Sequence, residues 1–158
     1  MLRTSIADGE RGALMAASLE RVTVEQIDAV LQLLRGQQLP TDGLRDHLST
    51  TLVARDGDRI VGSAALEVYP HGALLRSVAV ATEQQGQGLG RALTEAAIQL
   101  ACEIQAPAIY LLTTTAEDYF PRFGFEQIER TAVPASVRTS IEFTFACPSS
   151  ATVMRKSL

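Results

Sequence analysis

The amino-acid sequence predicts an α/β domain with a mixed central sheet of about six to seven strands and about four flanking helices. Three observations carry that prediction. The run Leu74-Leu75-Arg76-Ser77-Val78-Ala79-Val80 reads as a central strand, and it leads into Gln85-Gly86-Gln87-Gly88-Leu89-Gly90-Arg91 and a helical stretch to about Gln105. After Pro107, Ala108 to Thr114 is a β-rich apolar run, so a strand–helix–strand crossover with a parallel pair is expected. Upstream, Thr51–Arg55 and Arg59–Tyr69 flank Asp56-Gly57-Asp58, the signature of a hairpin. The sheet is therefore expected to be antiparallel first and parallel afterwards.

The elements follow in order. Residues 1–17 have no sustained periodicity and are expected to be a variable leader, ordered or not, with 18–158 forming a single domain. A short strand is expected over Glu20–Val22. Thr23 is placed to cap a helix whose Val24, Ile27, Val30, Leu31 and Leu34 recur at helical spacing, ending near Gly36. Leu44–Leu48 reads as a second short helix, and Pro70-His71-Gly72 as the turn before the central strand. In the helix from Gly88, the residues Leu89, Leu93, Ala96, Ala97, Leu100 and Ile104 share one face, enough to cover a sheet. Ala116–Phe123 is expected to be helical and to stop at Gly124. Phe125–Glu129 and Thr139–Ala146 read as the remaining strands.

Composition narrows the function. With 158 residues, 46% of them hydrophobic and 20% charged, the chain has the make-up of one ordinary globular core. The net charge of −4 and the scattered Lys and Arg disfavour a nucleic-acid surface. No apolar stretch approaches the roughly 18–20 residues that span a bilayer. Two distant cysteines, Cys102 and Cys147, suggest reduced thiols in a cytoplasmic protein, and two histidines give a metal centre little to work with.

The glycine-rich turn is where chemistry is expected. Backbone N–H groups at a helix start make an anion site, and glycines let a phosphate approach the chain. No Lys-Ser or Lys-Thr follows, which excludes a P-loop. Glycines at 86, 88 and 90 also miss the dinucleotide fingerprint, whose third glycine would fall on Arg91. The remaining pattern, Gln85-x-x-Gly88-x-Gly90 after Val78-Ala79-Val80, resembles the acetyl-CoA motif of the GNAT N-acetyltransferase superfamily.

The order of elements resembles that superfamily's too, which implies a GNAT fold with a splayed parallel pair at the acetyl-CoA site. A second motif lies in Thr113-Thr114-Thr115-Ala116-Glu117-Asp118-Tyr119-Phe120-Pro121-Arg122-Phe123-Gly124-Phe125. Ala116, Gly124 and Phe125 are in register with it. Thr113 stands where Asn is usual, and Phe120 where a Tyr commonly protonates the departing CoA thiolate. A narrower resemblance, to the small acetyltransferases of bacterial arsenic-resistance operons, rests on Leu66-Glu67-x-Tyr69, Leu74-Leu75-Arg76-Ser77, Thr113–Ala116, Glu142-Phe143 and Cys147-Pro148. It implies an amine substrate linked to organoarsenical or related detoxification.

The resemblance implies transfer of acetyl from acetyl-CoA to a primary amine of a small molecule by direct attack; a non-catalytic CoA-binding or regulatory module on the same fold, and acetylation of protein N-termini or lysines, are the alternative readings. Backbone groups of Val78, Ala79 and Val80 are expected to pair with the pantetheine arm. The N–H groups of Gln85, Gly86, Gln87, Gly88, Leu89 and Gly90, with Arg91, would hold the pyrophosphate, and Thr113 and Phe120 would also contact the cofactor. Glu67, set among apolar neighbours, reads as a general base of raised pKa or as the ion-pair partner of Arg76. Arg76 and Ser77 are candidates for the substrate, Arg76 for an anionic group on it. Tyr119 reads as substitute proton donor or as a packing or CoA contact. A homodimer is common in the superfamily and is the expectation for assembly.

Overall fold

The computed structural model describes residues 17–158 and the backbone of residues 3–5, so most of the expected leader lies outside the described residues. Strands β2 (Ser18–Arg21), β3 (Thr51–Asp56), β4 (Arg59–Tyr69), β5 (Gly72–Val80), β6 (Ala108–Thr113), β7 (Glu126–Ile128) and β8 (Thr152–Ser157) form the body of the sheet. β1 (Arg3–Ser5) extends its edge. The order is β1-β2-β3-β4-β5-β6-β8-β7, and every described neighbour pair is antiparallel except β5–β6. The expected mixed GNAT-type sheet is present, with its one parallel pair at the expected crossover.

Alternation along the strands sorts the core onto two faces. Leu52, Ala54, Val61 and Leu66 face α2 (Leu89–Glu103), meeting Leu93, Ala97 and Leu100. Val53, Ile60 and Ala65 pack instead with Ile27, Val30, Leu31 and Leu34 of α1 (Ile27–Gly36). Gly62 lets α2 lie close, because a Cβ there would sit 2.7 Å from Leu93 Cδ1. The start of α1 is a 3-10 turn, Val24–Gln26, where the Thr23 N–H donates to Gln26 Oε1 at 2.9 Å.

Several elements depart from the sequence expectation. Leu44–Thr50 is a 3-10 helix, and only Phe120–Phe123 of the expected 116–123 helix is helical, closing on Gly124 at φ 90°. α2 ends at Glu103, so Ile104 falls beyond it and is 38% exposed. The largest correction concerns Thr139–Ala146, which is not a strand. After α3 (Ala135–Arg138) the chain forms a π-helical turn over Glu142–Ala146, and the final strand is β8. Among the described residues, no helix is long and apolar enough to cross a membrane.

Candidate active site

β5 and β6 pair only at Ala73↔Ile109, Leu74↔Tyr110 and Leu75↔Leu111. Beyond Leu75, β5 stays with β4 while β6 stays with β8, and the sheet opens into a cleft. One edge of Arg76–Val80 therefore faces that cleft. The β4–β5 register slips between Ser63 and Ala65, and opposite the slip Ser77 adopts φ 59°. A left-handed serine costs about 1–3 kcal/mol and persists where its surroundings fix it. Here Ser63 Oγ donates to the Ser77 carbonyl at 2.7 Å.

The opening holds a cavity of about 1040 Å³, bounded by Val78, Ala79 and Val80, by the glycine turn, by the aromatic segment after β6 and by the 142–148 turn. At the glycine turn, Gly86 (φ 78°) and Gly88 (φ 87°) have no atom within 4 Å of an added Cβ, so backbone conformation and not crowding requires glycine there. Gly88 caps the N-terminus of α2 and aims its positive end at the cavity region. Gly90 differs: an added Cβ would lie 3.5 Å from both Tyr119 Oη and Val80 Cγ2.

The other expected cofactor contacts divide. Gln85 lines the cavity, but its side chain bonds Val80 O at 3.0 Å and Gln37 Oε1 at 3.1 Å, tying the turn to β5 and to the end of α1. Leu89 is buried in the core, and neither it nor Gln87 lines the cavity. Arg91 is exposed at the rim and paired with Glu95 at 2.9 Å. Arg122 lies 4.4 Å over the Tyr119 ring, adding a second rim cation. Thr113 Oγ accepts from the Ala116 N–H at 2.9 Å, so its hydroxyl caps the turn after β6. Phe120, though buried against Phe125, and Tyr119, beside Gly90, both line the cavity.

At the floor, Arg76 organises a buried polar cluster. Its NH1 group donates to Glu67 Oε2 at 2.8 Å and to Asp42 O at 2.7 Å; NH2 donates to Pro40 O at 3.3 Å and Nε to Ser77 Oγ at 3.2 Å. The guanidinium is thus largely saturated by protein. The other oxygen of Glu67 accepts the Tyr69 hydroxyl, and His47 Nε2 stands 3.8 Å from it. Glu67 is fully buried and does not line the cavity. Burial alone would raise its pKa, but bonds from Ser140, Tyr69 and Arg76 outweigh burial and hold it below the usual carboxylate range. The raised pKa expected for Glu67 is corrected accordingly, and the expected Glu67–Arg76 ion pair is present.

Sequence reasoning named Glu142 only as part of a resemblance, yet it occupies the cavity side of this cluster. It is 6% exposed and lines the cavity. Its Oε1 lies 3.9 Å from Arg76 Nε, too long for a hydrogen bond, and its Oε2 receives the Cys147 thiol at 3.5 Å. Burial raises its pKa, only partly opposed by Arg76 and the Cys147 thiol, and Glu67 and Asp42 add to the rise. Burial and the neighbouring Glu142 push the Cys147 thiol up to about 12, which leaves it protonated and a poor nucleophile. Cys102 is exposed on α2 and His71 is exposed in its turn. The overlooked signal was an acid inside the apolar run Ile141–Phe145.

The family profile for the acetyltransferase (GNAT) domain matches residues 47–127, which span β4, β5, the glycine turn, α2 and β6. An amino-acid acetyltransferase of Mycobacterium tuberculosis is 36% identical over 80 residues, covering 50% of this chain and 45% of that protein. An N-acetyltransferase of Chlorobaculum tepidum, itself uncharacterized, is 26% identical over 77% of this chain and 76% of its own. Among solved structures, Rv2747 of Mycobacterium tuberculosis in complex with CoA and NLQ superposes with a TM-score of 0.75 at 26% identity, covering 89% of this chain and 98% of that one. N-acetylglutamate synthase of Neisseria gonorrhoeae, complexed with coenzyme A and N-acetyl-glutamate, shares the fold at a TM-score of 0.74 and 19% identity, over 90% of this chain and 35% of that one. With the splayed parallel pair and the profile match in agreement, the chain belongs to the GNAT acetyltransferases.

Proposed function

We propose that this chain transfers acetyl from acetyl-CoA to the primary amine of a small, amino-acid-like molecule, by direct attack within a ternary complex. The observation that carries the reading is the continuity of the site. One cavity joins the glycine turn, the exposed edge of Val78–Val80 and a polar floor at Arg76 and Glu142. In this reading the turn's N–H groups receive the pyrophosphate and β5 receives the pantetheine as an added strand. A β5 N–H near Val80 stabilises the tetrahedral oxyanion. Similarity to proteins described as amino-acid acetyltransferases, or solved with coenzyme A, supports both the donor and the acceptor class.

Direct attack fits a site whose cysteine, Cys147, is held as a thiol. Tyr119, with its hydroxyl beside Gly90, is the side chain proposed to protonate the thiolate, with water as the other source. Phe120 cannot do so. The narrower resemblance extends the acceptor class to arsenical and phosphinic amino acids. A cytoplasmic homodimer completes the reading.

The test is thiol release from acetyl-CoA with a panel of small amines and amino-acid analogues, arsenical and phosphinic ones included, beside calorimetry with CoA. Release matched by an acetylated amine in the product is the expected result. Tight CoA binding with no turnover on any amine would instead make the chain a CoA-binding module.

A further inference from the structure

We propose that Glu142, and not Glu67, seats the acceptor's ammonium group and takes its proton. The inference rests on the acetyltransferase reading above and names the base of that same site. Three geometric facts converge on it. First, Glu142 lines the cavity that reaches Ser77 and Val78, whereas Glu67 does not. Second, both oxygens of Glu67 are spent on protein donors, one on Arg76 and one on Tyr69. Among the described residues the Glu142 carboxylate has a single, long hydrogen bond, from the Cys147 thiol to Oε2, and its Oε1 is 3.9 Å from Arg76, beyond hydrogen-bond range. An incoming ammonium therefore meets, on the cavity-lining Glu142, an oxygen with no hydrogen bond among the described residues, whereas both Glu67 oxygens are already engaged and Glu67 does not line the cavity. Third, the backbone that presents Glu142 is built for presentation. It is a π-helical turn, a form concentrated at functional sites, and Ser140 Oγ accepts the Glu142 N–H at 3.1 Å to fix its start.

The groups facing Glu142 come from each element around it: Arg76 from β5, Glu67 from β4, Asp42 from the loop after α1, and Cys147 from its own turn. Burial and the two other carboxylates make it the more basic acid of the pair, and Arg76 keeps it from being an isolated buried charge. Two carboxylates pushed in opposite directions by their surroundings are the pattern that separates a structural acid from a working one.

The step balances without a co-reactant. Ammonium gives one proton to the Glu142 carboxylate, and the nitrogen lone pair attacks the thioester carbonyl carbon. The C–N bond forms and the carbonyl electrons move to oxygen. The C–S bond then breaks as they return. Tyr119 or water protonates the thiolate and is reprotonated by the second nitrogen proton, and the Glu142 carboxyl releases its proton to solvent.

The experiment compares wild type, Glu142→Gln, Glu142→Asp and Glu67→Gln, following kcat/KM against pH with the best amine of the panel and CoA affinity by calorimetry. Glu142→Gln should lose about 10²–10⁴-fold in kcat/KM, the range typical of a general base. It should also lose the lower-pH inflection, keeping that of the free amine, with CoA affinity unchanged. Glu142→Asp should keep the inflection at a reduced rate, and folded Glu67→Gln should keep it too. An unaltered rate and pH profile in Glu142→Gln overturns the inference while leaving the acetyltransferase standing, as does disappearance of the inflection in Glu67→Gln alone. Wild type that binds CoA but turns over no amine overturns both.

Discussion

The two sides of Arg76 place the same residue type in opposite circumstances. On the β4 side, Glu67 is fully buried, receives Arg76 at 2.8 Å and the Tyr69 hydroxyl, and is turned away from the cavity. On the side of the 142–146 turn, Glu142 is also buried, yet among the described residues its carboxylate has one hydrogen bond, from Cys147, and it borders the cavity. Burial is nearly the same for both, so burial does not set their difference. The number of donors does: Glu67's donors overcome desolvation, and Glu142's do not. One carboxylate stabilises the fold, and the other is left with chemistry to perform.

The strongest way to break this contrast is Glu67→Ala. It removes the hydrogen-bonded partner of a buried guanidinium and leaves Arg76 with Glu142 at 3.9 Å. Removing one member of a buried ion pair costs about 3–5 kcal/mol, which urea unfolding would register as a large drop in midpoint at constant slope. A loss below about 1 kcal/mol, the range of exposed ion pairs, would mean that Glu67 is not the structural acid.

Glu142→Gln should do the opposite to stability. A carboxyl whose folded pKa is raised disfavours the folded state at pH values where the unfolded chain is already ionised. Neutral Gln removes that penalty, so the variant should unfold at an equal or higher urea midpoint than wild type at pH 7. The two acids also act oppositely on acidification. Glu67, depressed in the folded state, contributes stability above the ordinary carboxylate pKa of about 4.3, and this is lost as pH falls through its folded value. The penalty from Glu142 is relieved as pH falls through its raised folded value. Urea midpoints between pH 7 and 4 should therefore fall more steeply in Glu142→Gln than in wild type. A less steep fall would contradict the assignment.

How much of this could be read from the chain differs along it. The β5–turn–α2 segment was legible because local pattern and global fold agree there: an apolar strand, glycines at left-handed positions and a periodic helix. The Glu67–Arg76 pair was legible as an acid and a base on neighbouring strands. Residues 139–146 were misread because Thr-Ser-Ile-Glu-Phe-Thr-Phe-Ala alternates like a strand, and β propensity yields readily to tertiary context. In the fold, Ser140 and Glu142 turn inward to the Arg76 cluster instead of pairing with β6. The sheet position falls to Thr152–Ser157, where the sequence reading assigned no element. Missing the turn meant missing Glu142, since nothing local announces which distant strand an acid will face.

The finest adjustment of the contrast lies in Cys147. Its thiol is the one hydrogen-bond donor within reach of the Glu142 carboxylate among the described side chains, and it is long at 3.5 Å. That bond favours the ionised carboxylate and lowers the Glu142 pKa against the effect of burial. Cys147→Ala removes the donor and puts a methyl group in its place, so the pKa of Glu142 should rise further. If Glu142 is the base, the lower-pH inflection of kcat/KM should move to higher pH in Cys147→Ala, with the plateau rate little changed. A nucleophilic cysteine would give a different result, because its loss would remove the plateau itself and leave the inflection without meaning. Cys147→Ser restores a hydroxyl donor and should return the inflection toward the wild-type position. An inflection that moves to lower pH in Cys147→Ala would show that the thiol does not stabilise the carboxylate, and that the difference between the two acids has another source.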